Sequence, residues 1–288
     1  MRIDGRGIAQ DIFSDLKIRV GKLKKKGITP HLHIITLTTD SASQAYVGQK
    51  KLKGEEIGAK ITVENLDSSI STKQLLKKIE KLNKDPLVHG IIIQRPLTAQ
   101  INEQKIAESI NPKKDVDGFH PNSKFSPPVG EAVLRILEEI HSLTSEVDVR
   151  EPLRFTGWLR SKKISVIGRG VTAGTPIIKT LVRIGVQPLI VASQTQNRAE
   201  ILKNSDIIIC TVGKPNILAK SDIKKGAILV GVGMYRGKDS KLHSDYEEDD
   251  IKDIASFYTP TPGGVGPVNV AMLLKNLLKA AENQFLSK

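Results

Sequence analysis

Apolar residues Ile8, Ile12, Phe13, Leu16, Val20 and Leu23 recur at intervals near three and four, the period of a helix with one buried face, and Gly27 and Pro30 end it. The pattern then changes. His31 to Thr38 is rich in β-formers and predicts a strand, after which Ser41 to Ile57 reads as a helix, Ile61 to Val63 as a strand and Ser71 to Leu82 as a helix. Beyond Asp85-Pro86, Val88 to Ile93 is a nearly unbroken apolar run, as expected of a strand buried on both faces of a parallel sheet. Gln94-Arg95-Pro96 stops it. A short helix ends at Asn111-Pro112, Lys113 to Pro128 reads as loop, and Val129 to His141 as a further helix.

Polar Ser142 to Arg150 and an irregular stretch from Glu151 to Lys163 read as a hinge and lead-in, which places a domain boundary there. The alternation then restarts. Strand Ile164 to Ile167, a glycine-rich turn, helix Thr175 to Ile184 and strands at Pro188 to Val191, Ile207 to Val212 and Ala227 to Val232 predict a doubly wound parallel sheet. The fold class is therefore α/β in two domains, each with a largely parallel sheet, the second of them Rossmann-like and nucleotide-binding. The boundaries fall at 1–142 and 143–267, with a last helix, Val268 to Ala281 in the segment 268–288, packing back on the first domain.

A length of 288 residues suits two such domains. No apolar run approaches the roughly 20 residues of a membrane span, and Met1 to Ala9 lacks the apolar block of a signal peptide, so a cytoplasmic, membrane-free protein is expected. The single cysteine, Cys210, excludes an internal disulfide framework and agrees with a reducing compartment. A net charge of +13 permits a polyanionic partner. Lys22, Lys24, Lys25 and Lys26 crowd one helix end, but the other lysines are scattered and aromatics make up only 4% of the chain, which argues against base stacking on nucleic acid.

Gly168-Arg169-Gly170-Val171-Thr172-Ala173-Gly174 lies between a predicted strand and helix and satisfies G-x-G-x-x-(G/A). Glycines there let backbone approach a pyrophosphate at a helix N-terminus; the plainer reading is a tight turn. An NAD-preferring site places a carboxylate about 20 residues on, where this chain has Ala192-Ser193-Gln194-Thr195. Without it a 2′-phosphate fits near Ser193, Arg169 and Arg198, which favours NADP. Tyr46 and Lys50 stand four apart on one helix face, although a lysine in the run Lys50-Lys51-Leu52-Lys53 reads by itself as solvated surface charge. Asp115-Val116-Asp117-Gly118-Phe119-His120 offers carboxylates for acid–base work, but no further ligand falls at metal spacing, so no metal is expected. Thr261-Pro262-Gly263-Gly264-Val265-Gly266-Pro267 is either a plain turn or a backbone surface for a flat ligand.

Taken in order, Ala42 to Lys50, Gly90 to Leu97, Lys114 to Phe119, Gly168-Arg169 and Pro262 to Pro267 resemble motifs of the methylenetetrahydrofolate dehydrogenase/methenyltetrahydrofolate cyclohydrolase family, over nearly the whole chain. The resemblance implies NADP-dependent oxidation of 5,10-methylenetetrahydrofolate, followed by addition of water to the methenyl cation and opening to 10-formyltetrahydrofolate. It implies a pterin held in a cleft between the domains, with Lys50 central to catalysis, Tyr46 packed on the folate rings, Gln94 orienting Lys50 and Asp117 bonded to the pterin amino edge. Pro262, Gly263, Gly264 and Val265 would line the folate, and Gly168, Arg169, Gly170, Ser193 and Thr195 would hold the NADP. Beside a cationic methenyl carbon a lysine has reason to lose its proton. Neutral Lys50 then either activates water or returns its proton to the collapsing adduct. Partners implied are tetrahydrofolate derivatives and a second copy of the chain, a symmetric homodimer being a common default.

Several positions depart from the family pattern. Ser126-Pro127-Pro128 stands for a usual Cys-Thr-Pro after a shortened loop, Gly170 for serine, Ala192 for histidine, Gly231 for aspartate, Asn269 for threonine, and Thr38-Thr39 for Val-Gly. None touches Lys50, Gln94 or Asp117, so hydrolysis is the safer expectation and a monofunctional cyclohydrolase the alternative. A non-enzymatic Rossmann-like protein with a basic binding surface is the alternative from another class.

Overall fold

In the computed structural model, which describes residues 1–37, 40–145 and 152–286, the elements run α1 (Gly5–Lys24), β1 (His31–Thr36), α2 (Ser41–Glu56), β2 (Lys60–Asn65), α3 (Thr72–Lys84), β3 (Gly90–Ile93), α4 (Glu103–Ser109) and α5 (Pro128–Thr144). There follow α6 (Pro152–Arg160), β4 (Ile164–Ile167), α7 (Gly174–Arg183), β5 (Leu189–Val191), α8 (Arg198–Lys203), β6 (Ile207–Cys210), β7 (Ile228–Gly231), β8 (Met234–Arg236), β9 (Leu242–Ser244), α9 (Glu248–Ile251), β10 (Phe257–Tyr258) and α10 (Val265–Leu286). Two compact units emerge, one of residues 10–128 and 270–288 and the other of residues 1–9 and 129–269. They divide the chain at 9/10, 128/129 and 269/270, against the expected 142/143 and 267/268.

In the first unit β2-β1-β3 form a parallel sheet, with Ile34 of β1 opposite Val63 on one side and Ile92 on the other. Leu75 and Ile79 of α3 and Ile106 of α4 pack with Ile35, Ile91 and Ile93 into one continuous core. The capping box of Ser71 and Gln74 starts α3, satisfying backbone donors that the helix cannot. Two glycines set the close packing elsewhere. A Cβ at Gly54 of α2 would stand 2.4 Å from Ile61 Cδ1, and one at Gly90 of β3 would stand 3.0 Å from Leu277 of α10. The residues of α10 in this unit are fixed by Asn276, which donates to the carbonyls of Val116 and Ser126, each at 2.9 Å.

The second unit holds a parallel sheet ordered β10-β7-β6-β4-β5 and a separate β8-β9 hairpin. Since β4 has its two sequence successors on opposite sides, its C-terminal end is the topological switch point of the sheet. Ile208, Cys210, Leu229, Leu202, Ile251 and Tyr246 share its core. Cys210 is fully buried and burial pushes its thiol up, so it packs as a small apolar residue.

Most predicted elements occur within a few residues of the expected limits. The irregular lead-in expected at Glu151 to Lys163 is instead largely helix, as Pro152–Arg160 forms α6 with Phe155 and Trp158 stacked at 6.1 Å and both rings against His141. Position 152 suits proline because a first helical turn needs no N–H there. The expected strand His31 to Thr38 ends at Thr36, and Thr38-Thr39, one of the departures, lies outside the described residues, as does the part of the hinge at 146–151. The expectation missed α8, α9, β10 and the β8-β9 hairpin, which are too short for a periodic pattern to declare itself.

Candidate active site

Asp40 caps α2, its carboxylate accepting from the Ser43 backbone N–H at 2.8 Å, and so fixes the helix that carries Ser43, Tyr46 and Lys50 at three- and four-residue intervals on one face. Lys50 is not a surface charge. It is 4% exposed, while its neighbours Lys51 and Leu52 are exposed. The helix rotation that points Lys51 outward points Lys50 in, which the run of lysines concealed.

Lys50 Nζ donates to Gln94 Oε1 at 2.9 Å and lies 4.9 Å from the centre of the Tyr46 ring. Gln94 follows β3 directly, its own N–H bonded to the Ile35 carbonyl at 2.8 Å. Its amide is oriented from both ends, since Nε2 donates to the Arg95 carbonyl at 2.9 Å. The reverse orientation would set an NH2 group against an ammonium. Burial pulls the Lys50 pKa below that of an ordinary lysine, and the charge of Asp117 opposes the shift. Tyr46, Lys50, Gln94 and Asp117 thus come together in one unit.

Asp117 is carried on a loop whose form is set by Asp115, which the sequence offered as a carboxylate for acid–base work. The Asp115 carboxylate is 1% exposed and accepts from the N–H groups of Gly118 at 3.2 Å and His120 at 2.8 Å. Burial, with the nearby charge of Asp117, raises its pKa, and the bond from the His120 N–H opposes the rise. Asp115 is therefore committed to holding backbone. Gly118 has φ +75°, and a Cβ there would stand 2.8 Å from Pro127 N, which explains the glycine after Asp117. A residue missed was Ser43, whose buried hydroxyl has no hydrogen-bond partner. Its place seven residues before Lys50 was the available signal.

The dinucleotide turn is built in the other unit. Gly168 has φ +102° and donates its N–H to the Val191 carbonyl at 2.9 Å, which sets the turn after β4 beside the 192–195 segment after β5. A Cβ on Gly174 would stand 2.3 Å from the Gly168 carbonyl oxygen. A Cβ on Gly170 meets nothing within 4 Å, so this departure is not forced by the fold. Arg169, Gly170 and Ser193 are exposed, and Thr195 Oγ1 accepts from the Ala192 N–H at 2.8 Å, shaping the turn that presents Ser193. Arg198 donates to the Ile217 carbonyl. The glycine-lined cradle, open at the switch point and free of carboxylates at 192–195, fits a phosphate-bearing dinucleotide.

The Asp245 carboxylate, unassigned in the sequence, takes the N–H groups of Val212, Gly213 and Lys214 at 2.9, 2.6 and 2.9 Å and so fixes the loop after β6. Burial raises the Asp245 pKa against the pull of those bonds. Gly231 has a local cause: a Cβ there would stand 2.5 Å from Ser244 Oγ and 3.0 Å from the Tyr246 hydroxyl, so an aspartate has no room. The Pro262 to Val265 segment lies in this unit against the start of α1, where a Cβ on Gly5 would stand 2.0 Å from the Gly264 carbonyl oxygen. Among the described residues no group of three or more His, Cys, Asp or Glu is placed to hold a metal ion.

Residues 3–117 match the family model for the tetrahydrofolate dehydrogenase/cyclohydrolase catalytic domain, and residues 153–285 match that for its NAD(P)-binding domain. The bifunctional protein FolD of Staphylococcus haemolyticus is 39% identical over 279 residues, covering 96% of this chain and 95% of the relative. The bifunctional FolD enzyme of Campylobacter jejuni superposes with a TM-score of 0.88 at 33% identity, over 98% of this chain and 99% of that one. The Trypanosoma brucei enzyme, solved with NADP and an inhibitor, gives a TM-score of 0.87 at 28% identity, over 99% and 98% of the two chains.

Proposed function

This chain belongs to the tetrahydrofolate dehydrogenase/cyclohydrolase family and is an enzyme of that kind, and we propose that Lys50, Gln94, Asp117 and Tyr46 carry its folate chemistry and that its nucleotide is NADP. The observation that supports this most is a lysine buried in the body of the protein, bonded to one amide and biased by one carboxylate. A buried lysine with a lowered pKa is an unusual expense unless chemistry uses it.

In hydrolysis, water adds to the methenyl carbon of the folate. Neutral Lys50 accepts a proton from that water, and the cationic substrate beside it further disfavours the ammonium form. Gln94 keeps Nζ in place through a bond that survives deprotonation, because its Nε2 is already occupied with the Arg95 carbonyl and Oε1 still faces an N–H of the amine. Asp117 bonds the amino edge of the pterin and moderates how far the Lys50 pKa falls. Tyr46 supplies a face for the rings.

In the oxidative step NADP, when bound, accepts hydride from the methylene carbon. Gly168 and Gly170 admit the pyrophosphate, with the N-terminus of α7 beyond it. Arg169 and Ser193 address the 2′-phosphate, and Thr195 holds the turn that carries Ser193. The absence of a carboxylate at 192–195 favours NADP over NAD.

The enzyme works as a homodimer in the cytoplasm. Support for pairing comes from β5, an edge strand on which Leu189 is 49% and Ile190 43% exposed. A single, buried cysteine suits a reducing compartment, and no helix of the described residues is long and apolar enough to cross a membrane. The test is to follow absorbance while the purified protein meets methylenetetrahydrofolate with NADP and then NAD, and methenyltetrahydrofolate alone, with the mass in solution measured alongside. Turnover of both folates with NADP preferred is expected. Hydrolysis without turnover of either nucleotide would instead make it a monofunctional cyclohydrolase.

A further inference from the structure

We propose that Arg95 and Phe119 are positioning residues, whose stacked pair fixes where Asp117 stands relative to Gln94 and so sets affinity for the folate ring. This rests on the reading of Asp117 as the partner of the pterin. The Arg95 guanidinium lies 4.6 Å from the centre of the Phe119 ring, within cation–π range. Arg95 directly follows Gln94, and Phe119 stands two residues beyond Asp117. The stack therefore ties the end of β3 to the loop after α4 at points next to the two groups that address Lys50.

Each half of the stack is itself braced. The Arg95 side chain is only 11% exposed and pairs with Glu103 at the start of α4. Behind Phe119 the loop backbone is held by the Asp115 carboxylate through the N–H groups of Gly118 and His120. Between strand and loop the packing is incomplete, with a cavity of about 20 Å³ lined in part by Arg95, Asp115, Asp117 and Phe119, room for about one water. Strand and loop are joined at Lys114, whose carbonyl accepts from the Ile91 N–H at 2.8 Å, and nearer Asp117 by the stack. Shape alone does not supply that attraction, which needs the π face of the ring.

The test is steady-state hydrolysis of methenyltetrahydrofolate by the full-length enzyme as wild type, Phe119→Leu, Phe119→Tyr, Arg95→Met, Asp117→Asn and the Phe119→Leu/Asp117→Asn pair. Phe119→Leu and Arg95→Met should each raise KM about fivefold, with kcat within about twofold, the pattern of lost binding common to ground and transition state. Phe119→Tyr keeps the ring and should restore the wild-type KM. On the Asp117→Asn background, Phe119→Leu should add nothing further, because the partner it positions is already disabled. Arg95→Met leaves the loop sequence intact and decides the matter if Phe119→Leu does not fold. The proposal is overturned if KM is unchanged in both variants, if Phe119→Tyr is as poor as Phe119→Leu, or if the effects add in full. A wild type inactive on folates, or an Asp117→Asn enzyme with unchanged KM, would overturn the underlying reading and this one with it, a pattern distinguishable from the first three.

Discussion

The lysine site and the dinucleotide turn solve their problems with different parts of the polypeptide. Around Lys50 the working groups are side chains, buried and already bonded to one another: Gln94 to Lys50, Asp115 to the loop that presents Asp117. At the turn after β4 the working surface is backbone, and the side chains beside it, Arg169 and Ser193, are exposed. A site of mutually bonded side chains fails when one is removed. A backbone cradle fails when bulk is added, and tolerates side-chain loss in graded fashion. Gly170, one of the departures from the family pattern, falls at an exposed position of this cradle where open space remains.

The largest effect is expected from Lys50→Met, which keeps the helix and removes the proposed base. Hydrolysis of methenyltetrahydrofolate should fall about 10³-fold in a folded protein. Stability supplies a second readout with a definite sign. The folded-state pKa of Lys50 lies below its ordinary value of 10.5, so the unfolded chain binds the extra proton between the two values. Wild-type stability relative to the Met variant should therefore rise with pH across that window and be least favourable below it. Denaturant titrations of both proteins at several pH values would reveal it, and a flat difference would remove Lys50 from its buried, charge-averse setting.

Next in size is Gly174→Ala, whose new Cβ would meet the Gly168 carbonyl oxygen at 2.3 Å and displace the turn. Misplacement of a binding loop by such a margin costs about 10²-fold, so NADP-dependent oxidation should drop by that factor while hydrolysis stays within a few fold. Equal losses in both activities would show that the two regions are not separable.

Asp117→Asn should raise KM for the folate about tenfold, the upper part of what a weakened polar contact costs. Removing the charge that props up the Lys50 pKa should also move the acid limb of the hydrolysis pH profile, along which Lys50 loses its proton, to lower pH, which a profile of kcat/KM against pH would record. A shift to higher pH would contradict the charge assignment. Smallest is Arg169→Ala, expected to narrow the NADP-over-NAD preference about tenfold through loss of a charge-assisted bond to the 2′-phosphate. Identical losses for the two nucleotides would detach Arg169 from the phosphate.

The sequence by itself declared the alternation of strands and helices, because apolar periodicity is a local property: Val88 to Ile93 read as a doubly buried strand, and Gly168 to Gly174 as a glycine-rich turn between strand and helix. The ordered motifs, through the family resemblance, pointed to Lys50, Gln94 and Asp117 as a set. Tertiary structure decided what depends on distant neighbours. Lys50 sits among lysines in sequence and is buried because α2 lies with that face inward, a fact invisible from Lys50-Lys51-Leu52-Lys53. Asp115 read as one of two carboxylates offered for acid–base work, and Asp245 drew no reading at all. Their carboxylates become structural only where chain folding brings backbone N–H groups within 3.2 Å, donors which, once buried, must be satisfied by something the sequence places far away or leaves unmarked.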